Sequence, residues 1–119
     1  AWGGTPIEAY VPAEAFVGHP TLEKLAALAH AGDIVGIKGM RGGTNVRNTS
    51  WLPGAIYNGR IAPIKPFGIR GAIWYQGESN AGEGEDPRDY EQKMRALVRG
   101  WRSVWGRNDL PVYFVQLPQ

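Results

Sequence analysis

From Trp74 to Ala81 the chain reads Trp-Tyr-Gln-Gly-Glu-Ser-Asn-Ala, so a carboxamide (Gln76), a carboxylate (Glu78), a hydroxyl (Ser79) and a second carboxamide (Asn80) fall within five positions. Amides both donate and accept hydrogen bonds, and an ionised carboxylate only accepts. Together they can hold a polar ligand from several sides. The run Ile69-Arg70-Gly71-Ala72-Ile73 before them reads as a buried strand, and the polar, Gly-rich stretch from Gly82 to Asp86 after them reads as a loop. Packing gives no reason to crowd polar groups at the end of an apolar strand. Ligands of open α/β sheets bind at the carboxyl ends of strands, near a topological switch point.

The elements that would position this cluster follow from periodicity. Pro87 to Arg107 is the strongest helix, with Tyr90, Met94, Leu97, Val98, Trp101 and Trp105 recurring on one face. Ile69 to Tyr75 before it and Pro111 to Leu117 after it read as strands, the second apolar on both faces up to Gln116, as in a covered parallel sheet. These three make a βαβ unit, for which a right-handed crossover is expected. Upstream, Trp2-Gly3-Gly4-Thr5-Pro6 looks like a strand exit, with Thr5 placed to cap a short helical stretch through Ile7, Ala9 and Tyr10 that Pro12 breaks. Pro20 to Ala31 is a helix ended by Gly32, Gly36 to Ser50 a glycine-rich loop, and Pro53 to Ile61 room for one short helix. His19 and His30 read as structural or solvated.

Composition narrows the classes. The chain has 119 residues, enough for at most one domain, and a hydrophobic fraction of 43% that argues for a packed core. Its 13 basic against 11 acidic residues leave a scattered net charge of +2, weak grounds for nucleic-acid binding. No apolar run reaches the ~20 residues of a membrane span. There is no cysteine, so disulfides and thiolate metal sites are excluded. Glu83, Glu85 and Asp86 lack the spacing of a calcium loop. The chain opens in a Gly turn and closes on a strand, which reads as an internal part of a longer domain whose open sheet edges would favour association.

Four segments, in order, carry a resemblance: Trp2-Gly3-Gly4-Thr5-Pro6-Ile7-Glu8-Ala9; Tyr57-Asn58-Gly59 with Ile61-Ala62-Pro63; Trp74-Tyr75-Gln76-Gly77-Glu78-Ser79-Asn80-Ala81; and Phe114-Val115-Gln116-Leu117-Pro118. They resemble the sialate O-acetylesterase family and the related acetylxylan esterases of the SGNH (GDSL-like) hydrolase superfamily. The resemblance implies an incomplete three-layer, flavodoxin-like α/β fold with a parallel sheet. It implies residues 1–119 as the internal part of one SGNH-type esterase domain. The implied substrate is an acetylated carbohydrate, hydrolysed through a serine acyl-enzyme without metal or organic cofactor. The family also has a Gly-Gln-Ser nucleophile block and an Asp-x-x-His block. Neither occurs here, where the serines are Ser50, Ser79 and Ser103 and the histidines His19 and His30.

What this chain holds in common with the family is the electrostatic half of such a site. Ester cleavage builds negative charge on the former carbonyl oxygen, and one donor aimed at it is typically worth about 3–4 kcal/mol. Gly3 or Gly4 can offer a backbone N–H unobstructed by a side chain, Gln76 or Asn80 a side-chain amide, and Glu78 can orient the catalytic histidine. Other readings stand beside these. Gln76 and Asn80 could satisfy loop backbone, Glu78 could pair with Arg70 or Arg88, and Gly3-Gly4 could be a tight turn. Gly77-Glu78-Ser79-Asn80-Ala81 could be a nucleophile elbow built on Ser79. A noncatalytic carbohydrate-binding or scaffold module would use Trp2, Trp51, Trp74 and Tyr75 as sugar platforms. Trp101 and Trp105, on the helix stripe, read as core.

Overall fold

Helix α2 (Pro87–Trp105) is bounded by residues suited to its ends. Asp86 accepts the Arg88 N–H at 2.9 Å, and Pro87 occupies the first turn, where a missing N–H costs nothing. Gly106 closes the helix in the left-handed conformation (φ 61°) that favours glycine. The face turned inward carries Lys93, Ala96, Leu97, Gly100 and Trp101, with Tyr90, Met94 and Trp105 packed partly buried against the same cluster. The expected stripe is thus present but wider, and it includes a charged residue, Lys93, that is 2% exposed.

The computed structural model describes residues 3–31, 51–82 and 86–118. Ahead of α2 come short 3-10 turns at Ile7–Tyr10 and Ala13–Ala15, helix α1 (Pro20–His30), a π turn and a 3-10 turn at Tyr57–Ile61 and Ala62–Ile64, strand β1 (Ala72–Trp74) and a 3-10 turn at Glu78–Asn80. Strand β2 (Val112–Phe114) follows it. β1 and β2 pair in parallel, with Ala72, Ile73 and Trp74 opposite Val112, Tyr113 and Phe114. Parallel neighbours require a crossover connection, and α2 lies in it. This is the α/β arrangement expected from the sequence, with strands shorter than 69–75 and 111–117. Among the described residues no helix is long and apolar enough to cross a membrane.

The core lies between α2, β1 and the N-terminal turns. Ile7, Val11, Ala15, Phe16 and Leu22 meet Trp74, Leu97 and Trp101 there. Trp74 stands edge-on to Tyr10 at 5.0 Å and to Trp101 at 5.9 Å, a geometry that aromatic quadrupoles favour. The Trp101 indole donates to the Tyr10 carbonyl at 3.1 Å. Leu25 of α1 forms a second small cluster with Leu28, Trp51 and Leu52.

Two local expectations need correction, the Thr5 cap and the covered sheet. Thr5 does not cap the first turn: Pro6 stands at that position, and the Thr5 hydroxyl lies 2.8 Å from the Tyr10 phenol instead. Of the two readings offered for His19 the structural one holds: it caps α1, its Nδ1 accepting the Leu22 N–H at 3.4 Å. The sheet is not covered on both faces by the described residues, since Ile73, Tyr75 and Tyr113 are about 70–85% exposed. α2 shields the Trp74 side only. Gly32 and the Gly36–Ser50 loop lie outside the described residues.

Gly100 marks the closest approach of α2 to the N-terminal turns. A Cβ there would stand 2.4 Å from Pro12 Cγ and 2.9 Å from Ala15 Cβ. Alanine would add about 1 kcal/mol of helix propensity, but overpacking a tight contact typically costs about 1–3 kcal/mol. Gly100→Ala is therefore expected to lower the urea midpoint of the chain. A midpoint equal to or above that of the parent would contradict this packing.

Candidate active site

The end of β1 and the N-terminal turn meet through side-chain amides. Gln76 donates from Nε2 to the Thr5 carbonyl and to Asn80 Oδ1, both at 2.9 Å. Asn80 Oδ1 also accepts the Ile7 backbone N–H at 2.9 Å, and Asn80 Nδ2 donates to Glu8 Oε2 at 3.0 Å. The orientation of each amide follows from partners with one role only. A backbone carbonyl and a carboxylate can only accept, and a backbone N–H can only donate. Gln76 must therefore turn its NH2 to Thr5, and Asn80 must turn its oxygen to Ile7 and its NH2 to Glu8.

Tyr90 closes the other side. Its hydroxyl lies 2.8 Å from the Gln76 carbonyl and 3.0 Å from Gln76 Oε1, to which it donates, and it accepts the Trp74 indole N–H at 3.3 Å. Burial, chiefly, raises this phenol above its ordinary value of 10.0. The Trp74 bond pulls the other way, and the carboxylates of Glu78 and Glu8 add to the rise. The sign for stability follows: the contribution is whole below pH 10.0 and is lost as pH climbs past the higher folded value.

Beneath the amides sits a buried ionic cluster. Glu8 is 1% and Lys93 2% exposed. Lys93 Nζ lies 3.8 Å from Glu8 Oε1 and 2.9 Å from Asp89 Oδ2. Asp89 Oδ1 accepts from the Thr21 hydroxyl at 3.0 Å and stands 3.8 Å from His19 Nε2. An isolated buried charge is costly, so two carboxylates flanking one ammonium is the arrangement that makes its burial tolerable.

The four residues singled out in the sequence thus fall in different settings. Asn80 is buried, Gln76 half-buried, and Glu78 and Gly3 exposed. The junction unites the turn that carries Gly3 with the strand end that carries Gln76, Glu78 and Asn80. Both amide protons of Gln76 are engaged by protein. Glu78 has no ion-pair partner among the described residues, Arg70 and Arg88 included. A groove of about 540 Å³ along α2, lined by Met94, Val98 and Arg99 among others, includes none of the four. Thr5, Glu8, Tyr90 and Lys93 were not anticipated as parts of the site. A usable signal existed for Lys93, which sits three residues after Tyr90 and four before Leu97, inside the apolar stripe.

The family described as carbohydrate esterase, sialic acid-specific acetylesterase, matches residues 21–119. A sialate O-acetylesterase of Rattus norvegicus is 30% identical over 141 residues, covering 98% of this chain and 25% of that protein. One of Homo sapiens is 29% identical over 107 residues, covering 90% of this chain and 17% of its own length. The chain therefore spans about a quarter or less of these relatives. No solved structure matches.

Asn80 is the residue whose loss should be felt most in this junction. Asn80→Ala strands the Ile7 N–H, and a buried polar group without a partner typically costs about 1–3 kcal/mol. Asn80→Asp keeps the shape but sets a second carboxylate against Glu8. Its destabilisation in urea melts at neutral pH should exceed that of the alanine variant and shrink as pH falls and carboxylates protonate. An aspartate variant as stable as the parent at neutral pH would refute the Asn80–Glu8 contact.

Proposed function

Because the chain belongs to the sialic acid-specific acetylesterase family of carbohydrate esterases, we propose that it builds the charge-stabilising half of a site that hydrolyses acetyl esters on sugars. The observation that carries this reading is the junction itself. Gln76 reaches the Thr5 carbonyl across 71 positions of sequence and Asn80 the Ile7 N–H across 73. Two segments with backbone and side-chain donors are thereby fixed side by side at the end of a parallel strand.

In this reading a serine attacks the acetyl carbonyl, the sugar hydroxyl leaves with a proton from a histidine, and water then releases acetate from the serine. Neither a Gly-Gln-Ser nor an Asp-x-x-His block occurs in the 119 residues, so nucleophile and base come from polypeptide outside them. Gly3 supplies a backbone N–H to the developing oxyanion. Gln76 and Asn80 hold the turn that presents it, and release of one Gln76 N–H toward the ester would add a second donor. Exposed Glu78 orients the histidine. The acyl group is acetyl and the alcohol a carbohydrate, sialic acid or xylan, by the family's own chemistry.

The rival readings gain less support. A nucleophile elbow is a sharp, strained turn. Ser79 lies within the 3-10 turn Glu78–Asn80, and among the described residues no non-glycine residue has positive φ. A sugar platform at Trp74 is closed off, since its ring is 5% exposed beneath Tyr10 and Trp101. Trp2 lies outside the described residues.

The donor assignment is testable in the full-length protein with p-nitrophenyl acetate. Gly3→Pro deletes the N–H and should lower kcat by about 10²–10³-fold. Gly3→Ala should be mild, since a Cβ there meets nothing within 4 Å and φ is not left-handed. Gln76→Ala should also lower kcat, Glu78→Gln should lower it and distort the pH–rate profile, and Ser79→Ala should do little. Residues 1–119 alone should show no turnover above a denatured control. Turnover that depends on Ser79 would replace this reading with the elbow.

A further inference from the structure

The buried ionic cluster has no part in the chemistry described so far, yet it touches the residue on which the junction turns. Asn80 has two faces. Its oxygen receives the Ile7 N–H and the Gln76 amide, and its nitrogen meets Glu8 Oε2. An amide can be turned end for end at almost no cost in shape, and only its partners decide which end points where. A carboxylate accepts and never donates, so an ionised Glu8 admits one orientation of Asn80. A carboxylate that is 1% exposed is costly to bury without a counter-charge, and Lys93 stands 3.8 Å from Glu8 Oε1.

We propose that Glu8 and Lys93 are positioning residues for ester hydrolysis: Lys93 pairs with Glu8, Glu8 braces the Asn80 amide, and Asn80 fixes the Gly3–Ile7 turn and Gln76 at the reacting carbonyl. The proposal rests on the esterase reading above. Neither residue touches substrate, so both act on kcat through geometry. Asp89 is the second anchor. It holds Lys93 at 2.9 Å from the solvent side, and the Thr21 hydroxyl of α1 holds Asp89 in turn. The chain of contacts runs from α1 through α2 to the strand end.

The test uses the full-length protein and p-nitrophenyl acetate, with Glu8→Gln, Lys93→Met and the double variant. Glutamine keeps the volume of Glu8 but offers both a donor and an acceptor, so the orientation of Asn80 then rests on the Ile7 N–H and the Gln76 amide alone. Glu8→Gln should lower kcat by about 10–100-fold, as small misplacements of a site do, with KM within about twofold of the parent. Amide exchange at Ile7 should speed by about tenfold or more while that of Leu97 in α2 holds. In Glu8→Gln the Lys93 ammonium keeps Asp89 at 2.9 Å, so removing it as well in the double variant should not regain kcat. Recovery of kcat together with stability would overturn the proposal by showing a merely structural role. Unchanged kcat in Glu8→Gln would overturn it as well, whatever Ile7 exchange does. A parent protein that turns over no acetyl ester would instead sink the esterase reading and this proposal with it. Accelerated Ile7 exchange would then still report the Glu8–Asn80 contact.

Discussion

A carboxamide buried between a backbone N–H and a carboxylate is the contact on which the rest of this chain depends. Asn80 can satisfy Ile7 and Glu8 at once because it presents an acceptor on one side and a donor on the other. An apolar residue of similar size there would leave the Ile7 N–H unpaired and take the amide partner from Glu8, and unpaired buried polar groups are among the costliest defects in a fold. The Gln76 amide extends the same logic to Thr5, and the Tyr90 phenol extends it to the Gln76 carbonyl. The result is a connected polar layer, seated on a hydrophobic one, in which each member constrains the next.

The hydrophobic layer does the complementary work. Trp74 is the last residue of β1, and its ring is enclosed by Tyr10 and Trp101. That enclosure fixes where the strand ends, and so where Gln76 begins. Helix α2 contributes to both layers from one face. Leu97 and Trp101 fill the core, while Tyr90 and Lys93, a turn or two earlier, reach the polar junction. Gly100 lets the helix come close enough to the N-terminal turns for this to happen. Position along a single helix therefore sorts apolar packing from polar support.

Much of this was legible in the residues. The two parallel strands, the long helix between them, its start at Pro87, and the polar cluster after Trp74 all follow from short-range pattern, because strand and helix periodicities are local properties. What was not legible depends on partners far away in sequence. Thr5 has the form of a helix cap, and only the nearby Tyr10 phenol shows why its hydroxyl turns elsewhere. Glu8 and Lys93 acquire a shared role only when each is seen beside the other. Gln76 and Asn80 were legible as amides with work to do, but the direction of each hydrogen bond is set by groups more than 70 positions away. The covering of the sheet was inferred from apolar composition. Apolar composition reports what a strand tolerates on both sides, and among the described residues only the α2 side is filled.

The span of the Ile7–Asn80 bond has a kinetic meaning. Its two ends are separated by 73 positions, and the entropy of closing such a loop must be spent before the contact returns anything. Helices α1 and α2, built from neighbours, can form on their own local timescale. The polar junction can form only once Trp74 and the N-terminal turns are already docked. The Ile7–Asn80 junction, proposed as part of the site, is therefore expected to assemble late in folding.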